Sequence, residues 1–437
     1  MTSPNTYISY KVDTVNFNKD NITSKIYKSN DVSYTILNNS ASSMKTEESM
    51  DYITSLYRSI IVNPDNGQIL CFSPPNSVSF VDFEKKYSKY DPNVIYANEI
   101  IEGTMINLFW DPRINSWEIA TRGAIGGNYW YYRTNYDDVP PEQSKQTTFR
   151  EMFFDALRLN SMALNDSPIL QSLPKDHCFS FVLQHPDNHI VLPISYPQLY
   201  LVSAYHLTST FDPLTNELTS NTVTAIPPYL LPQLAQFSGG LFNIPHYFTG
   251  YENYQMFKNN LCSSMTPYNC LGVMFTNLET GERCSMENIA YEQVKELRGN
   301  NPNLQYQYFC LLRTGKKQQF LTFFPRYRQL FGRFNKQYND FITNVHQAYF
   351  SYYVKKEGLQ IPKKYFIHAS KIHHNIFIPK LQGDEKIIVT RDVVKNYFDE
   401  LTPNELLYYL NYDRRQINKE IEKNVETSNE MDISYFT

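Results

Sequence analysis

The 437-residue sequence predicts an α+β fold: antiparallel sheets with flanking helices, followed by an all-α C-terminal domain. Three observations predict it. Short runs alternating in polarity, separated by turn signals, recur between residues 68 and 276. From Tyr291 onward the apolar period becomes helical. No internal repeat and no long flexible linker breaks the chain. The organisation that follows is a polar N-terminal extension over residues 1–45, rich in Asn, Ser and Thr, a sheet-rich domain over 46–335, and a helical domain over 336–437.

Taken in order, structure begins at residues 52–62. Asn63-Pro64-Asp65-Asn66-Gly67 reads as a turn before a strand over 68–73. Residues 102–110 alternate and read as a strand. A turn over 111–116 and a return strand over 117–122 complete a β-hairpin. Met152, Phe153, Ala156 and Leu157 are at helical spacing, which predicts a helix over 149–164. Residues 177–183 and 189–194 read as a second strand pair, 199–205 as a third strand, and 271–276 as another ahead of a turn over 278–282. Beyond Tyr291, helical spacing covers 291–297. A loop follows at 298–303, then clustered aromatics over 319–338. Residues 340–356 carry Phe341, Val345, Ala348, Tyr349 and Tyr352 at helical spacing. Two more helices are expected over 392–401 and 404–410, the second started at Thr402-Pro403.

Hydrophobic residues make up 42% of the chain and charged residues 19%, the balance of an ordinary globular protein able to bury a sizeable core. No run approaches the roughly 18 apolar residues of a membrane span, and Met1–Tyr10 has no apolar core of a signal peptide. The expectation is a chain with no membrane partner, in the cytoplasm or in a virus particle. Asn, Lys, Tyr, Ile and Phe are abundant, as AT-rich codons would give, which favours a large DNA virus or a protist as source. The six cysteines show neither a C-x-x-C pair nor matching His spacing, so they predict reduced thiols rather than a zinc site or disulfides.

Charge is uneven. Residues 298–380 hold 14 Lys and Arg against only Asp340 and Glu357, whereas 381–437 hold 12 acids and 7 bases. Such a belt, interleaved with Tyr306, Tyr308, Phe324, Tyr327 and Phe334, has the composition of a single-stranded RNA-binding surface. A solvated basic face, or one paired with the acidic tail, explains it equally. Trp110, Trp117 and Trp130 read as core or surface aromatics. His185 and His189 lack a partner at metal spacing, and His373-His374 reads as a loop pair.

Residues 99–104, Glu-Ile-Ile-Glu-Gly-Thr, are the most informative stretch. Around them stand, in order, Tyr57-Arg58-Ser59-Ile60-Ile61-Val62, then Phe72-Ser73-Pro74-Pro75-Asn76, Thr121-Arg122-Gly123, Phe179-Ser180-Phe181-Val182-Leu183 running on to Asn188-His189-Ile190-Val191, Leu271-Gly272-Val273, and 285–300. The series resembles the motifs of ATP-dependent RNA ligases of the phage type, members of the covalent nucleotidyltransferase superfamily. The resemblance covers about residues 50–335, and more weakly the helical tail. It implies a nucleotidyltransferase (ligase)-like fold. In that family a lysine three residues before the glycine attacks the nucleotide's α-phosphate. Glu102 and Gly103 match, but Ile100 stands at the lysine position.

An isoleucine has no lone pair and cannot form a phosphoramidate. Arg58 matches a phosphate-contacting arginine, while Asn76 stands where a lysine is expected. Ser180 replaces a ribose-contacting glutamate and Leu271 a metal-supporting one. Ser285 and Glu287 replace two phosphate-binding lysines. Losing these lysines removes charge that phosphoryl transfer uses, and leucine offers a hard cation no oxygen. The implied reading is a pseudoenzyme with no catalytic residue, no cofactor site and no metal site. It would serve as a structural or scaffolding protein with protein partners, itself or virion components, in a large DNA virus particle or its assembly. Two alternatives stay open: an RNA-binding module, and an active RNA ligase using a relocated lysine such as Lys258 or Lys295.

Overall fold

The computed structural model describes residues 7–29, 31–39, 52–130, 147–159, 163–236, 239–299, 301, 303–357, 360–382, 388–417 and 419. They fall into two compact units, Met1–Glu296 and Leu297–Thr437. None of the helices among the described residues is long and apolar enough to cross a membrane.

The first unit is built on three sheets. Its strands are β1 (Ser9–Val12), β2 (Ile22–Ser29), β3 (Val32–Asn39), β4 (Ile60–Val62), β5 (Ile69–Phe72), β6 (Ile95–Glu99), β7 (Thr104–Asp111), β8 (Ser116–Ala120), β9 (His177–Gln184), β10 (Gln198–Phe211), β11 (Leu218–Ala225), β12 (Phe242–Asn243), β13 (Gly272–Asn277) and β14 (Arg283–Glu287). The largest sheet has the order β1-β11-β10-β9-β7-β8, with β12 against β10. The others are β14-β13-β6 and β2-β3-β4-β5. Every pairing is antiparallel except the short β10–β12 contact.

The central strand β9 is buried on both faces, which explains its nearly unbroken apolar sequence. Phe179, Phe181 and Leu183 join Ile106, Leu108, Trp117 and Phe153 in one core. Cys178, on the opposite face, joins Phe72, Phe109 and Tyr205 in another. The predicted hairpin is present as β7–β8, pinned by the cross-strand pair Trp110 and Trp117, whose rings meet edge-to-face at 5.6 Å. In the predicted turn, Gly67 N donates to Asn63 O at 2.9 Å, and Gly67 takes the positive φ of 71° that closes it. The helix Phe149–Ala156 starts at a capping box between Thr148 and Glu151. It ends well short of residue 164 because Arg158 is left-handed, with φ 56°.

The segment read as a polar extension supplies β1, β2 and β3. Tyr10, Val12, Ile22, Tyr34, Ile36 and Leu37 are spaced among polar residues and enter the core around Ile60 and Phe72. The abundance of Asn, Ser and Thr hides this pattern. Residues 189–194 form no strand, because their backbone donors are used otherwise, as described below.

The second unit is helical. Its longest helix, Arg328–Tyr349, follows Leu304–Arg313 and Lys317–Phe323, and the expected boundary at 335 falls inside it. Phe331 of that helix stacks on Phe320 at 4.9 Å and meets Tyr308 edge-to-face at 5.3 Å. The helical unit therefore begins near residue 297, because the two preceding helices share its core. Lys363–Ile372 runs on into a π-helical turn, His373–Phe377, so the two histidines are helical rather than in a loop. Arg391–Glu400 and Pro403–Leu410 follow, and residues 412–417 are helical as well. The helix Pro403–Leu410 is started by Pro403 and a capping box of Thr402 with Glu405. Lys364 of the basic belt pairs with Asp413. Of the acid-rich tail, residues 383–387, 418 and 420–437 lie outside the described residues.

Candidate functional site

Residues 99–104 link β6 to β7, and each position is held by a different constraint. Ile100 N donates to Gly272 O at 3.2 Å. Gly103 has no room for a side chain: a Cβ there would collide with Leu183 O and Val182 Cγ1. Glu102 is buried, and its carboxylate accepts from the backbone N–H of Ile190 (2.7 Å), Val191 (3.0 Å) and Leu192 (3.2 Å) and from the Tyr291 hydroxyl (2.9 Å). These donors would otherwise have made the expected strand over 189–194.

The segment borders a cavity of about 400 Å³ in the first unit. The three-stranded sheet supplies one wall by strict alternation. Tyr96 and Asn98 of β6 pair with Thr276 and Met274 of β13, and Thr276 pairs with Arg283 of β14; all five side chains line the cavity. The intervening Ala97, Val273, Phe275 and Cys284 pack on the other face, against Phe83 and Phe257. Tyr10, Arg58, Ile100, Gly103 and Tyr205 complete the part relevant to chemistry.

The cavity is cationic. Burial lowers the Arg58 guanidinium pKa to about 10, and the nearby Arg283 and then Arg122 push the same way. Arg283 Nη1 is buried and makes no hydrogen bond among the described residues. Burial raises the Tyr205 phenol to about 12, so it stays protonated at neutral pH and can donate. The carboxylate on the wall is Glu99, whose Oε1 accepts from His246 N at 2.8 Å.

Of the residues singled out from the sequence, Arg58, Ile100 and Gly103 line the cavity. Glu102 stands behind it as a structural anchor. Ser180 is fully buried, where its hydroxyl donates to Asn107 Oδ1 at 2.8 Å, and Asn107 Nδ2 donates to Ser73 Oγ at 2.6 Å. Leu271 is buried beside the site and Arg122 is exposed near Asn39. Asn76, Ser285 and Glu287 are absent from the lining. Arg283, Tyr96 and Tyr205 went unnoticed in the sequence. A signal for Arg283 existed: it stands two residues before Ser285, hence on the same face of one strand.

Among the described residues, no cluster of three or more His, Cys, Asp or Glu side chains could hold a metal ion, and all six cysteines are free. His185 is buried against Asp155, at 3.3 Å, and accepts from Asp187 N. Trp117 is core, Trp110 lies under the Lys175 ammonium at 3.7 Å, and Trp130 is exposed.

No family model matches this chain, and no curated protein matches it. Solved structures that it is similar to include an RNA ligase and a DNA ligase. A mutant RNA ligase from Naegleria gruberi with ATP and manganese matches at 10% identity over 46% of this chain and 52% of that one, with a TM-score of 0.30. The match thus spans about half that ligase. A second mutant of the ligase, with AMP and manganese, matches at 9% identity over 66% and 86%, TM-score 0.33. A protein assigned as an ATP-dependent DNA ligase from Aquifex aeolicus matches at 12% identity over 82% and 85%, TM-score 0.39.

Proposed function

We propose that the chain is a ligase-like pseudoenzyme that forms no covalent nucleotide intermediate and serves as a structural or scaffolding protein, in a large DNA virus particle or its assembly. The observation that carries this reading is the composition of the cavity wall. Ile100 occupies the nucleophile position, and no lysine lines the cavity among the described residues. The relocated-lysine alternative loses support on the same ground. Lys258 is exposed on the helix Tyr254–Leu261, outside the lining, and the Lys295 ammonium is held by Glu292 at 2.8 Å. Exposed aromatics such as Tyr196, Phe350, Tyr352 and Tyr408 favour protein contacts, since such rings bury much area at low entropic cost. Incubation with labelled ATP or GTP and a divalent metal tests the reading. No label should stay with the denatured protein, and an acid-labile adduct would overturn it.

The second reading, single-stranded RNA on residues 298–380, keeps the charge argument but loses much of the stacking argument. Tyr308, Phe324 and Phe334 are buried in the helical core, leaving only Tyr306 and Tyr327 partly exposed of the five rings. RNA binding that weakens steeply with log salt would favour it over the scaffold. Self-association or co-purification with particles, without RNA binding, would favour the scaffold.

A further inference from the structure

We propose that the outer edge of β2 is a docking site for an extended, acidic segment of another protein, which joins the four-stranded sheet as a further strand. The inference rests on the scaffolding reading of this chain and adds a surface and the chemistry of its partner.

β2 pairs with β3 along its whole length, from Ile22 opposite Asn39 to Ser29 opposite Val32. Only two residues join the strands, so Ser29 and Val32 exchange both backbone bonds, and Tyr27, Lys25 and Thr23 do the same at every second position. Ile22, Ser24, Ile26 and Lys28 therefore turn their N–H and C=O groups away from β3. Ile22 N agrees with this, donating to Asn18 O at 2.9 Å. The backbone groups of Ser24, Ile26 and Lys28 find no partner among the described residues, and all three residues are exposed. Other sheet edges are closed. Glu99 N donates to His246 O and Phe248 N to Ala97 O along β6, both at 2.9 Å, and Val78 N donates to Arg283 O of β14 at 2.8 Å. On β5, Ile69 N donates to Asn221 Oδ1 and Phe72 N to Cys178 Sγ, each at 3.3 Å. A bare edge of this length is a template for one more strand, whose affinity comes from main-chain bonds.

Charge selects the occupant. From Ile22 to Ser29 the strand carries Lys25 and Lys28 and no acid. Neither makes an ion pair among the described residues, and the Lys25 ammonium rests over the Tyr27 ring at 4.8 Å. The acids nearest in sequence, Asp20 and Asp31, lie beyond the two ends of the strand. Lysines on an edge resist a like strand, since a second copy would double them in one ribbon with no acid between. The same lysines attract a strand with a carboxylate opposite each. Ile26, 68% exposed between them, matches an apolar residue opposite it. An antiparallel partner that meets all three reads acid, any residue, apolar residue, acid.

The probe is the peptide Thr-Glu-Thr-Val-Glu-Thr-Val-Thr, acetylated, amidated and fluorescently labelled, titrated at low salt with the full chain and read by anisotropy. Antiparallel to β2, it sets its first Glu against Lys28, its first Val against Ile26 and its second Glu against Lys25. It should bind, and the same peptide with Lys for Glu should bind at least about tenfold more weakly. Methylating the first Val nitrogen removes a donor aimed at Ile26 O and should cost about tenfold or more. Methylating the second Glu nitrogen, which points away from β2, should leave affinity unchanged. Ile26→Pro takes the outward N–H from the edge and spares the β2–β3 ladder, so the variant should melt cooperatively and not bind. Lys25→Glu combined with Lys28→Glu should reverse the choice between the acidic and basic peptides. No binding of the acidic peptide by the folded wild type, or equal loss with the two N-methyl peptides, overturns the inference. So does self-association that Ile26→Pro abolishes, which assigns the edge to a second copy. Each of these failures leaves the non-covalent reading intact, whereas a covalent adduct with ATP overturns that reading whatever the peptide does.

Discussion

The Tyr291 hydroxyl donates to Glu102 Oε2 at 2.9 Å, tying the helix Ile289–Arg298 to the link between β6 and β7. The same carboxylate collects three successive N–H groups, from Ile190, Val191 and Leu192. Glu102 therefore holds together three segments far apart in sequence, and it does so from behind the cavity.

Glu102→Gln should destabilise the first unit by about 2–3 kcal/mol, since the amide turns an NH2 group toward backbone donors and gives up charge-assisted bonds. Tyr291→Phe should cost about 1.5 kcal/mol, and the double variant less than the sum, because the two share one bond. Urea unfolding of the four proteins measures the coupling. Strict additivity would show that the bond is idle.

Gly103→Ala should cost about 1–3 kcal/mol, because the new Cβ collides with the Leu183 backbone and the strand pair must open to admit it. Thermal melting reads this directly. A neutral substitution would mean that β7 and β9 are farther apart than described.

Ser180→Glu should cost more than about 3 kcal/mol. The position is fully buried, and the serine hydroxyl already satisfies Asn107 within the Asn107–Ser73 network. A folded, equally stable variant would contradict the tight packing around Ser180. Chemical denaturation distinguishes the two outcomes.

The helical unit should carry a pH signature from His368. Its ring is fully buried among Phe341, Phe398 and Tyr409, and burial, then Lys371, lowers its pKa from 6.5 to about 4. The folded state thus binds a proton less readily than the unfolded chain. Its contribution is complete above pH 6.5 and is lost as pH falls toward 4, up to about 3 kcal/mol. His368→Phe should flatten the stability profile between those limits relative to wild type. Parallel profiles in urea would contradict the assignment.

Much of the fold was legible in the sequence where burial and alternation coincide. The hairpin Thr104–Ala120, strand His177–Gln184 and the helix cap at Thr402-Pro403 were all expected. What escaped was set by long-range partners. Strands β1 to β3 looked polar because their apolar residues are diluted by Asn, Ser and Thr. Residues 189–194 alternate like a strand, but Glu102, about ninety positions earlier, takes their donors. In the site, Arg58, Ile100 and Gly103 were legible from local motif order. Arg283 was signalled only by its place two residues before Ser285, and the face that β14 presents to the cavity is set by its pairing with β13. The basic belt misled through its aromatics: Tyr308, Phe324 and Phe334 belong to helix packing.

The most direct test of the central claim is the intact mass of the protein after incubation with ATP, or with GTP, and a divalent metal. The account predicts the unmodified 51.3 kDa chain in every case. A population heavier by one nucleoside monophosphate would contradict it, and mapping that adduct to a lysine would identify the nucleophile.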